Sequence, residues 1–96
     1  MAEFRLSPAA QADLDGIFDY SARQWGVAQA VQYVDDLQRV CAELAETPTQ
    51  AFDFGHIRPG YRRGMAGSHS IYFRIEDYGI AVIRILHQRM DASRHF

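Results

Sequence analysis

Between Ser70 and Leu86 the chain carries two apolar runs, Ser70–Ile75 and Ile80–Leu86, on either side of the acidic turn Glu76-Asp77-Tyr78-Gly79. In the first run Ile71, Phe73 and Ile75 alternate with Tyr72 and Arg74, the period-2 signature of a strand. The second is β-branched at Ile80, Val82, Ile83 and Ile85 and apolar on both faces, with only Arg84 interrupting it. A strand apolar on both faces belongs in the middle of a sheet, with a second layer over it. The four-residue connection ends in Gly79, which can take the positive φ that hairpin loops need. These runs therefore predict a central hairpin, and the rest of the chain must supply its cover.

Two helices are available for that purpose. Ser7-Pro8 is a helix start, with serine as N-cap and proline at the first helical position, where no amide proton is needed. Ala10, Leu14, Ile17, Phe18, Ser21 and Trp25 then form one face of an amphipathic helix, with Gly26 as its C-terminal cap. On this pattern Trp25 is a core anchor between the helices, and Asp13, Asp15 and Asp19 lie on a solvated face. Ala30, Val34, Leu37, Cys41 and Leu44 mark a second helix, which Thr47-Pro48 stops. So short a connection predicts a helical hairpin that buries both stripes on one face of the sheet. Glu3–Leu6 alternates as a short added strand, residues 49–60 read as a loop, and Tyr61–Met65 as a short strand. The tail Gln88–Phe96 is polar and basic and is expected to cross the sheet edge or project from it. The order is β-α-α-β-β-β, an α+β fold with a helical hairpin on a small, mainly antiparallel sheet.

Ninety-six residues suffice for one domain, residues 1–96, and 48% hydrophobic with 23% charged residues is an ordinary globular balance. No apolar run approaches the ~18 residues that suggest a membrane span. The N-terminus lacks the apolar core of a signal peptide, and a lone cysteine, Cys41, agrees with a reducing cytoplasm. Cys41 itself reads as a small buried hydrophobe.

Charge is unevenly placed. Residues 1–50 hold three arginines and eight acids, a net of −5; residues 51–96 hold seven arginines and four acids, a net of +3. There is no lysine. A basic half built from bidentate guanidinium forks suggests an acidic partner or nucleic acid. His56, His69, His87 and His95 are scattered, with no cysteine or carboxylate at zinc-ligand spacing, so no metal site and no cofactor is expected. His87 at a strand end reads as a hydrogen-bonded structural histidine. Arg84, inside an apolar strand, must pair or reach water, and Asp91, Glu76 or Asp77 could serve.

Four segments in register resemble a known family. Leu6-Ser7-Pro8-Ala9-Ala10 opens the first helix and Trp25-Gly26 closes it. Ile57-Arg58-Pro59-Gly60-Tyr61-Arg62 precedes a strand, and Ile83-Arg84-Ile85-Leu86-His87-Gln88-Arg89-Met90-Asp91 ends the pattern. Together they resemble ParE toxins, of the RelE/ParE superfamily of bacterial type II toxin–antitoxin systems. The resemblance implies a growth-inhibiting, cytoplasmic toxin held inactive by a ParD-like antitoxin, with DNA gyrase as target. It implies no specific nucleic-acid contact outside the antitoxin complex and no membrane. The RelE branch of the same fold cuts messenger RNA on the ribosome, and that is the competing reading; Arg62, Arg63, Arg84 and His87 would be its candidates. The nucleolytic branch typically carries an aromatic hydroxyl in the C-terminal segment, but here that segment, Gln88-Arg89-Met90-Asp91, has no tyrosine. A third reading is an inactive homologue that serves only in an autoregulatory complex with its antitoxin. For the toxin reading, the expected target-binding residues are Arg84, His87, Gln88, Arg89, Met90 and Asp91, supported by Arg62 and Arg63. The expected antitoxin-binding residues are Arg58, Tyr61, Arg62, Arg63 and Trp25, with no catalytic residue among them.

Overall fold

In a computed structural model, residues 2–53, 55 and 58–96 are described. His56 and Ile57, the latter part of the segment leading into the third strand, lie outside them. The elements are β1 (Glu3–Leu6), α1 (Pro8–Trp25), α2 (Val27–Glu46), a 3-10 turn (Pro48–Gln50), β2 (Phe52–Asp53), β3 (Tyr61–Ala66), β4 (His69–Glu76), β5 (Gly79–His87) and a last 3-10 turn (Ala92–His95). The sheet order is β1-β5-β4-β3-β2, and only the β1–β5 pair is parallel. This is the expected α+β arrangement, a helical hairpin on a mainly antiparallel sheet, with one strand more than the sequence suggests. The segment read as a loop contains β2, two residues paired to Arg62 and Arg63. So short a strand leaves no periodicity to read.

The helix boundaries fall where the capping chemistry places them. Ser7 Oγ accepts the amide of Ala10 at 3.0 Å, Pro8 occupies the first turn, and Gly26, at φ 94°, closes α1 with its amide donating to Ala22. Gly26 alone separates the helices. Leu14 of α1 and Leu37, Cys41 and Ala45 of α2 pack with Ile71, Phe73, Ile80, Val82 and Ile85 of the sheet in one cluster. Burial pushes the Cys41 thiol up to about 12, so it is an inert apolar group, as its place on the stripe implies.

The double-sided apolarity of β5 has a geometric cause. Its register against β4 runs Tyr72↔Arg84 and then Phe73↔Val82, leaving Ile83 as an extra, bulged residue. The bulge reverses the side-chain phase. Before it Ile80 and Val82 face the helices, after it Ile85 does, and Leu86 turns to the opposite face with Tyr72. That second face is covered by the tail, which does not project. Phe96 lies edge-on to Tyr61 and Tyr72, at 5.4 and 5.2 Å between ring centroids, and Ala92 joins the same small cluster. The hairpin loop is also tighter than expected: Glu76 pairs with Gly79, so only Asp77 and Tyr78 lie between the strands. Gly79 adopts φ 142°, and a Cβ there would run into the backbone of Glu3 in β1.

β1 pairs with β5 only as far as Leu6↔Val82, so the edge of β5 beyond Val82 needs other partners. α1 and its cap provide them. The Ser7 amide donates to Val82 O at 2.9 Å and Ser7 Oγ to Ile83 O at 2.7 Å. Asp13 then accepts the Ile85 amide at 2.9 Å and takes a bidentate pair from Arg84, at 2.7 and 2.8 Å. Thus Arg84 pairs with Asp13, not with Asp91, Glu76 or Asp77, and Asp13 is not on a solvated face. No periodicity can show this, because the partners are 71 residues apart. Asp15 and Asp19 are exposed as expected. Among the described residues, no helix is long and apolar enough to cross a membrane.

Replacing Asp13 by Asn leaves a part-buried guanidinium without its counter-charge, and should cost about 2–3 kcal/mol of stability. Asp19→Asn, on the exposed face, should stay within about 0.5 kcal/mol. Urea unfolding of both variants checks this, and equal midpoints would refute the anchoring role of Asp13.

Candidate functional site

The expected site residues separate into three places. Arg58, Tyr61, Arg62 and Arg63 lie at the β2–β3 end of the sheet. Arg58 is exposed in the turn before β3 and accepts the Tyr61 amide, and Arg62 donates to Ala51 O at 3.4 Å. The Arg63 guanidinium lies 5.7 Å from the ring centroid of Phe52, which is exposed, and its buried Nε has no hydrogen-bond partner among the described residues. Tyr61 is partly covered by Phe96 and offers less surface than its position suggests.

Arg84, His87, Gln88, Arg89, Met90 and Asp91 follow β5 outward, separated from Arg62 and Arg63 by the whole of β4. Arg84 is committed to Asp13, whose hydrogen bonds and charge raise its pKa and hold it protonated. Gln88, Arg89 and Met90 are exposed in the turn after β5. Asp91 accepts from the amide and hydroxyl of Ser93, which caps the final 3-10 turn and pulls the Asp91 carboxyl below its ordinary value. It is a capping group.

The third place is the connected end of the helical hairpin. Trp25 is not a core anchor, being 64% exposed and edge-on to Tyr20 at 6.0 Å. The apolar stripe of α1 continues at helical spacing, but Ser21 is its last buried residue. One turn further on, the helix has reached the strand ends at His69 and His87, and a cavity of about 360 Å³ lies there in place of packed core. Tyr20, Trp25, Tyr33, His69 and His87 all line it, so it joins Trp25 and His87, which the sequence assigned to different partners.

His69 and His87 are direct cross-strand partners, with ring centroids 5.3 Å apart. Tyr33 reaches them from α2, its hydroxyl 2.7 Å from His69 Nδ1. Gly67 makes the approach possible, because a Cβ there would lie 2.8 Å from that hydroxyl. The Tyr33 oxygen also accepts the Ser68 amide at 3.0 Å, and the direction of its bond with His69 Nδ1 follows the tautomer of that ring. His87 Nδ1 accepts the Arg89 amide at 3.1 Å, a hydrogen-bonded role of the kind expected for it. In the neutral form His87 therefore carries its proton on Nε2, where it can donate a hydrogen bond. Burial, then the neighbouring His87, lowers the His69 pKa, with Asp13 opposing. Sequence reasoning weighed His69 only for a metal site and expected none there. The signal that could have found the pair is its cross-strand register, available only once the hairpin loop length is known.

The model of the family described as "ParE toxin of type II toxin-antitoxin system, parDE" matches residues 4–92. The chain belongs to the ParE toxin family. It is 45% identical over 95 residues to Toxin ParE1 of Mycobacterium tuberculosis, covering 98% of this chain and 97% of that one. It is 42% identical to Toxin ParE1 of Caulobacter vibrioides, over 99% and 98% of the two chains. Toxin ParE of Escherichia coli is 33% identical, over 95% and 89%. A solved structure described as the chromosomal ParDE TA system from P. aeruginosa superposes with a TM-score of 0.77 at 26% identity, covering 91% of this chain and 96% of that one. The ParE-like toxin thus has the fold as well as the sequence of its relatives.

The depressed His69 pKa has a sign that can be worked out. Below about 6.5, the ordinary histidine value, the unfolded chain takes up a proton that folded His69 still refuses. Stability should therefore fall as pH drops through 6.5, and level off beneath the folded His69 value. Urea midpoints of wild type and His69→Gln between pH 5.5 and 7.5 test this, and a wild-type slope no steeper than the variant's would contradict it.

Proposed function

We propose that this ParE-like toxin of a type II toxin–antitoxin system acts by binding DNA gyrase and is neutralised by a ParD-like antitoxin. The family supports the class. The observation that favours protein binding over RNA cleavage is the closed ion pair of Arg84. A ribonuclease needs cations free to stabilise charge developing on the phosphate. Here Asp13 neutralises Arg84, the arginine within the strand that ends at His87, and Arg62 and Arg63 stand beyond β4. The polar turn Gln88-Arg89-Met90 is the exposed surface we assign to target contact, and Arg58, Arg62 and Arg63, with the net positive second half, to an acidic antitoxin segment. Among the described residues, β3 has no partner beyond Arg63 on its β2 side, which leaves a short edge where such a segment could add a strand.

Purified toxin incubated with gyrase, ATP and plasmid should trap cleaved DNA, which appears as linear product after protease and detergent. Unchanged gyrase products together with cleavage of ribosome-bound messenger RNA would reverse the assignment. For the antitoxin, Arg58→Ala combined with Arg62→Ala should weaken binding and flatten its salt dependence, and an unchanged salt slope would remove the electrostatic part.

A further inference from the structure

We infer that the cavity between the hairpin end and the two histidines is an anchor site for one segment of the antitoxin, which brings an apolar side chain with a carboxylate beside it. This inference rests on the antitoxin reading above and adds where the partner grips and with what chemistry.

Three observations lead there. The first is exposed aromatic surface at the cavity rim. Tyr20 and Trp25 are 60% and 64% exposed, and the same end continues onto the first turns of α2 with Val27 and Val31 exposed as well. Exposed apolar residues grouped in this way mark a contact surface rather than scattered surface hydrophobes. A small free ligand would fill the cavity and leave the α2 residues uncovered, which favours a polypeptide.

The second is unmet hydrogen-bonding capacity. The Arg89 amide occupies Nδ1 of His87 and leaves its Nε2–H without a partner among the described residues, and with Tyr33 at Nδ1 of His69, the protonated His69 ring offers a second Nε2–H. Both belong to side chains lining the cavity, and the lining contains no acid. Two donors on side chains that line one cavity are matched by an acceptor with two oxygens, and a carboxylate meets that requirement. The third is the electrostatic setting. Of the charged groups around the pair, Asp13 on α1 is already bridged to Arg84 of β5, α2 contributes the neutral Tyr33, and Arg89 follows His87. Among the described residues, Asp13 is the carboxylate that acts on His69, and it is engaged with Arg84.

The chemistry sets a proton-linked signature. A carboxylate placed against His69 favours its charged form, so binding raises its proton affinity from its depressed starting point. The segment should bind more tightly as pH falls toward 6, with net proton uptake.

The test is calorimetric titration of the antitoxin encoded beside this toxin, at pH 6.0 and 7.5, in buffers of different ionisation enthalpy. Wild type should bind more tightly at pH 6.0 and take up protons. Trp25→Ala, at an exposed position, should keep the wild-type melting temperature and bind about 30-fold more weakly, as loss of an interface anchor does. The double variant His69→Gln with His87→Gln keeps amide donors but cannot titrate, and should lose the proton uptake and the pH difference. If wild type binds with no proton uptake and Trp25→Ala binds within threefold of it, the anchor site is wrong while the antitoxin pairing stands. If wild type does not bind the antitoxin at all, the pairing itself fails, and the anchor with it.

Discussion

One carboxylate holds this fold in register. Asp13 stands where β1 has run out and β5 continues, and it accepts both the Ile85 amide and the Arg84 guanidinium. With Ser7 serving Val82 and Ile83, α1 and its cap complete the hydrogen bonding of a strand edge that would otherwise be left open. The helix is thereby fixed along β5 by directional bonds as well as by apolar contact, which alone would allow it to slide. Because only Gly26 links the helices, the position of α1 also constrains α2. The pair is part-buried, so its worth lies less in net stabilisation than in the cost of any arrangement that separates it.

The bulge at Ile83 is the second device on which the architecture depends. A nine-residue strand with uninterrupted alternation would present one apolar and one polar face. By inserting one residue, β5 supplies Ile80, Val82 and Ile85 to the helix layer and Leu86 to the opposite face. The tail closes that face with Phe96 against Tyr61 and Tyr72. With the sheet covered on both sides over its centre, exposed apolar side chains remain at Phe52 and Met65 beside the short β2, at Ile75 near the end of β4, at Met90 after β5, and at the Tyr20–Trp25 end of the helical hairpin. These margins, not the sheet centre, offer a binding protein its purchase.

The candidate residues illustrate which chemistry a sequence conveys. Arg84 attracts attention as a charge in an apolar strand, and the attention is justified, because its guanidinium is bridged to Asp13 of α1. Asp91 likewise proves to be a cap. Trp25 was assigned to the core because its spacing continues the stripe, yet a stripe records which way a residue points and not whether another layer lies opposite. His69 carries no signal in the sequence beyond the absence of metal-ligand spacing, since nothing in its neighbourhood along the chain places it across from His87 and beside Tyr33.

The sequence by itself determined the elements, their order and most of their boundaries. Period-2 and helical apolar patterns, Ser7-Pro8, Gly26 and Thr47-Pro48 are local signals, and local backbone chemistry obeys them. It also carried the family, through short segments kept at their spacing. Only the tertiary structure decided which charges meet, where the sheet ends beneath the helix, and which face the tail covers. Those depend on strand register, on a single bulged residue and on contacts between residues up to 76 apart in the chain. A one-residue change of register exchanges the faces of a strand, and no local pattern reports it.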